Sequence, residues 1–111
     1  RPADNFPRQS KVIVYGENDE QGTNTPHFHV QIDNGDIELE IKFEHIKNME
    51  IWRTKNNYPK SWDGITDVRD RIIETFDEVS EKNFGVSNLK RMIMAWNDGN
   101  PTKEVDEHFT E

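Results

Sequence analysis

Apolar and polar residues alternate along two neighbouring stretches, Phe28-His29-Val30-Gln31-Ile32 and Ile37-Glu38-Leu39-Glu40-Ile41. Alternate side chains of an extended strand share a face, so each stretch predicts a strand with one apolar and one polar side. Between them lies Asp33-Asn34-Gly35-Asp36. Asn-Gly is a strong signal for a two-residue hairpin turn, whose two central positions both need positive φ. A turn there pairs Ile32 with Ile37, Gln31 with Glu38, Val30 with Leu39 and His29 with Glu40. Phe28, Val30, Ile32, Ile37, Leu39 and Ile41 then face a core. His27, His29, Gln31, Glu38, Glu40 and Lys42 gather on the opposite face, which is expected to meet solvent.

The remaining elements follow from the same kind of pattern. Residues 11–15, Lys-Val-Ile-Val-Tyr, read as a strand from their β-branched content. Residues 16–26 form a polar, acidic loop. It is not a calcium loop: aligning Gly22 with that motif's glycine puts Phe28 where a bidentate Glu is required. Residues 44–48 read as a turn and 49–54 as a further strand, with a helix over 44–52 as the alternative. After a loop at 55–64, Ile65, Val68, Ile72, Phe76 and Val79 recur every three or four residues, the stripe of an amphipathic helix. Thr66 or Asp67 is expected to cap it. Ser87 caps a second helix carrying Leu89, Met92, Ile93 and Trp96, which Gly99 and Pro101 end. The fold class is α+β: an antiparallel sheet of three or four strands with two helices packed on one face. Residues 1–10 are a lead-in, 11–101 one domain, and 102–111 a charged, aperiodic, flexible tail.

Composition narrows the functional classes. The chain has 111 residues, one domain by size. Its hydrophobic content of 32% is low for a globular domain even with the six glycines added. Cysteine is absent, which excludes disulfides and thiolate chemistry and fits a cytoplasmic location. No apolar run approaches the ~20 residues of a membrane span. A net charge of −8 opposes phosphate backbones, so general nucleic-acid binding is not expected, whereas a basic protein partner is compatible.

The candidate chemistry sits on the hairpin. His27 and His29 on one strand face, with Glu40 across from His29, offer two imidazoles and a carboxylate to a divalent transition metal. Such a set with an open position suits zinc or iron and activates water. The competing reading is an ordinary polar sheet face; on either reading His29 points outward, and His29→Ala is expected to leave the fold intact. Two imidazoles beside carboxylates also describe a surface that changes charge between roughly pH 5 and 8. His45 and His108 are further histidines, both expected in solvent. Trp96 completes a helical stripe and is assigned to the core. Trp62 either packs over the core or, with Gln31 and Glu38, lines an interaction surface. No nucleophile elbow, phosphate-cradling glycine loop or zinc-finger spacing is present.

The order of strand, polar loop, Pro26-His27-Phe28-His29-Val30, hairpin, two helices and Met92-Ile93-Met94-Ala95-Trp96-Asn97-Asp98-Gly99 resembles a small bacterial family of unknown function. That family is marked by the motif Asn-Pro-Pro-His-Phe-His-Val and an Asn-Trp…Gly ending. The resemblance covers residues 11–101. This chain is a divergent member: Thr25 replaces the first proline, the acidic loop is longer, and residues 55–64 are an extra segment. The resemblance implies a small cytoplasmic interaction module, one component of a toxin–antitoxin-like or defence gene pair with a protein partner. The residues themselves offer the alternative of a metal-dependent hydrolase or nuclease built on His27, His29 and Glu40.

Overall fold

The structure is a computed structural model, and it describes residues 9–16, 25–55, 59–101 and 104–105. Four strands, β1 (Ser10–Ile13), β2 (His27–Ile32), β3 (Ile37–Lys42) and β4 (Arg53–Thr54), form an antiparallel sheet in the order β1-β2-β3-β4. Two helices follow, α1 (Thr66–Thr75) and α2 (Asn88–Gly99). The arrangement is α+β, and among the described residues no helix is long and apolar enough to cross a membrane.

The central hairpin has the register set by its turn: Ile32 pairs with Ile37, Val30 with Leu39, and His29 with Glu40. Asn34 and Gly35 take φ of 62° and 95°, and the Asp36 N–H donates to the Asp33 carbonyl. These are the positive angles that the Asn-Gly pair tolerates and most other residues do not. Asp33 is also left-handed, at 54°, and its N–H leaves the hairpin for the Gln9 carbonyl. That bond carries β1 alongside β2, with Ile13 opposite His29.

Phe28, Val30, Ile32, Leu39 and Ile41 are fully buried, and with Val68, Ile72, Ile93 and Trp96 they make one core. Each such side chain contributes roughly 1.5–3 kcal/mol relative to exposure. The opposite face of β2 departs from expectation. His27 and His29 do lie there together, but they are buried, at 1% and 7% exposure. Alternation assigns a residue to a face without saying what covers that face. Here Tyr15, just past β1, stands edge-on to His29 with ring centroids 4.7 Å apart. Trp52 and Trp96 close over His27 at 5.3 and 5.5 Å. His29 is therefore part of the packing, and its replacement is no longer expected to leave stability untouched.

Three further differences concern the limits of elements. Only Arg53 and Thr54 join the sheet from the segment 49–54, because a 3-10 turn at Phe43–His45 and successive turns precede them. Met49 ends those turns at φ 52°, with its side chain in the core. Helix α1 stops at Thr75 rather than continuing to Val79, which is exposed. The carbonyls at and just past its end are taken by the start of α2: Thr75 O accepts from Asn88 Nδ2, Phe76 O from Leu89 N–H, and Glu78 O from Asn88 N–H. Carbonyls at a helix end need such donors, and these arrive from outside the helix. Ile65, not Thr66 or Asp67, is the N-cap of α1, without a side-chain bond. Ser87 caps α2 as expected, its Oγ accepting from the Lys90 N–H.

Of the lead-in, Gln9 and Ser10 are described and the rest lies outside the described residues, as do most of the acidic loop and His108. Of the tail, Glu104 and Val105 are described. Val105 is buried and held by Asn97, whose Nδ2 donates to its carbonyl (3.1 Å) and whose Oδ1 accepts its N–H (2.7 Å).

Candidate metal centre

Adjacent strands bring the three candidate ligands together. His27 and His29 are two residues apart on β2, and Glu40 stands across from His29 on β3. One ligand atom from each can be chosen so that all lie within 4.8 Å of one another. The arrangement of nitrogens is more specific than the cluster itself. His27 Nδ1–H donates to the Thr25 carbonyl at 2.7 Å, and His29 Nδ1–H donates to Glu38 Oε2 at 3.0 Å. A carbonyl and a carboxylate only accept, so these partners assign the proton of each neutral ring to Nδ1. Both Nε2 atoms then carry lone pairs, and both face Glu40 Oε1, at 3.3 Å for His27 and 3.8 Å for His29.

Three acceptors converging in a covered site call for positive charge beside them, from the Arg53 guanidinium on Glu40, from protons on the rings or from a bound cation. Zinc ligands at ~2.0–2.1 Å in tetrahedral geometry are separated by about 3.3 Å, close to the two nitrogen–oxygen distances. Metal-bound imidazoles characteristically donate their other N–H to a carboxylate or backbone carbonyl, and His27 and His29 show one of each.

Glu38 acts on the site from behind His29. Partial burial raises its carboxyl, but hydrogen bonds from Gln31 and His29, with the electrostatic attraction of the His29 ring and Lys55, outweigh that and hold it below the ordinary glutamate value. The Gln31 amide donates to Glu38 Oε1 at 2.7 Å. Gln31 and Glu38, candidates for an interaction surface, are thus half-buried supports of His29. Trp62, the third candidate there, is in the core, its indole N–H donating to the Met49 carbonyl. His45 lies in the turn after β3 and is not among the three grouped ligands.

Arg53 was not singled out from the sequence. Its Nη2 donates to Glu40 Oε1 at 2.6 Å, and its guanidinium lies 4.0 Å from the Trp52 ring centroid. The cross-strand pair Glu40–Arg53 fixes it there. The register of β4 would have revealed it, but the connection from β3 has no Asn-Gly signal to set that register. Tyr15 keeps the strand parity of Ile13, the partner of His29, which puts its ring on the face of His29.

Comparison with protein-family models, curated proteins and solved structures gives no match. The case for function rests on these side chains.

Proposed function

We propose that the protein binds one divalent transition-metal ion of the zinc class through His27 Nε2, His29 Nε2 and the Glu40 carboxylate. The observation that carries this reading is the convergence of two imidazole Nε2 atoms on one carboxylate oxygen, with both Nδ1 atoms already engaged. Three protein ligands leave a fourth tetrahedral position. Water bound there has its pKa lowered toward ~7, the basis for metal-assisted hydrolysis. Full-length protein purified without an affinity tag and dialysed against zinc is expected to retain one equivalent and to melt at a higher temperature. Glu40→Gln keeps the shape and removes the charge, and is expected to weaken retention at least about tenfold. No retained metal and no shift in melting would reject the reading.

A protein-partner role is supported by a different part of the chain. Phe84 is 77% exposed and left-handed, at φ 59°, in a turn closed by Gly85 N–H to Ser80 O and by the Val79–Ser87 bridge. A bulky residue held in that conformation, largely exposed with the Arg91 guanidinium 5.4 Å from its ring centroid, is a natural anchor for another protein. The test is co-purification with the product of the adjacent gene. Phe84→Asn, which tolerates positive φ, is expected to abolish the complex, and an unchanged complex would reject this role.

A further inference from the structure

Arg53 belongs to two places at once. It donates to Glu40 in the candidate metal centre, and it lines a cleft of ≈ 330 Å³ with Ile51, Trp52, Thr54, Pro59 and Lys60. In a chain of net charge −8, this cleft has two cations and no acid among its described lining residues. Arg53 is also half in solvent, with 46% of its side chain exposed, so it can change partners without disturbing the core. A divalent ion held by Glu40 competes with Arg53 for the same carboxylate oxygen and repels the guanidinium. An anion bound from the cleft side offsets that repulsion.

Resting on the metal reading above, we propose that the Arg53–Lys60 cleft binds the oxyanion of a small molecule, a phosphate or carboxylate, and that loading the His27–His29–Glu40 centre with a divalent ion releases Arg53 to it. The planar guanidinium presents paired donors that match either oxyanion, while Lys60 adds a point charge at the mouth. Because Arg53 touches both the cleft and Glu40, an anion held this way would lie near the centre, which makes an anionic substrate the class this centre would act upon.

The probe is phenyl phosphate, titrated calorimetrically into full-length protein with and without one equivalent of zinc, and benzoate repeats the series to separate phosphate from carboxylate. The zinc-loaded protein is expected to bind one of the two probes about tenfold more tightly than the metal-free form. Arg53→Ala is expected to remove that gain, and Lys60→Ala to weaken binding several-fold in both forms, with zinc retention unchanged in the latter. Both residues are solvent-accessible, and unchanged melting temperatures would confirm that the variants are folded. A zinc-linked gain that survives in both variants places the anion on the metal alone and overturns the proposal. If the wild type retains no zinc, the metal reading fails and the coupling with it. The cleft is then judged metal-free, where equal affinity of wild type, Arg53→Ala and Lys60→Ala removes it as an anion site.

Discussion

At the scale of single residues, the two histidines owe their orientation to their neighbours rather than to their own rotamers. Thr25 and Glu38 each occupy an Nδ1–H, so the imidazoles cannot turn their Nε2 atoms from Glu40 without breaking a hydrogen bond. The Glu38 carboxyl is held below its ordinary value in the folded chain by Gln31 and His29 against the opposing effect of burial. A carboxylate lowered on folding contributes stability above its unfolded value, and loses it as pH falls through the folded value. The stability difference between wild type and Glu38→Gln is therefore expected to be constant near neutrality and to shrink as pH drops below ~4.5. Denaturant unfolding at several pH values measures it, and a difference that stays flat through the acid range would contradict this account of Glu38.

At the scale of elements, the hairpin was legible because its determinants are local. Asn34 and Gly35 supply the two positive φ angles, and strand alternation then fixes every pair from Ile32–Ile37 to His27–Lys42. Gly35→Ala places a Cβ on a residue at φ 95°. No neighbouring atom lies within 4 Å, so the penalty is backbone strain alone, about 1–2 kcal/mol. A denaturation midpoint unchanged in Gly35→Ala would show that the turn does not hold the register. Elements whose limits depend on distant chain were less legible. The stripe of α1 runs on to Val79, but α2 captures the carbonyls of Thr75, Phe76 and Glu78 and ends the helix earlier. Only two residues of the segment 49–54 reach the sheet, since Met49 turns inward first. The candidate metal ligands were legible as a set, sharing one hairpin. Their cover of Tyr15, Trp52 and Trp96 was not, because three separate segments supply it.

At the scale of the whole molecule, the candidate centre is a junction between the sheet and α2. Trp96 of that helix touches both His27 and Phe43. Four residues on, Asn100 Nδ2 donates to the Trp96 and Tyr15 carbonyls, tying the helix end to the segment that carries the cover of His29. Gly99 permits that contact: a Cβ there would sit 2.8 Å from the Gly16 Cα, against backbone with no flexible side chain to move. Gly99→Ala is expected to push Tyr15 off His29 and to destabilise the fold by about 1–3 kcal/mol, the usual range for overpacking. A melting temperature equal to wild type would contradict this close approach.

The most direct measurement of the central claim is X-ray absorption at the zinc edge of the tag-free, zinc-loaded protein. The account predicts a first shell of two imidazole nitrogens at ~2.0–2.1 Å with carboxylate or water oxygen completing four ligands. It also predicts loss of one imidazole in His29→Ala. A shell without imidazole, or one unchanged by that substitution, would contradict it.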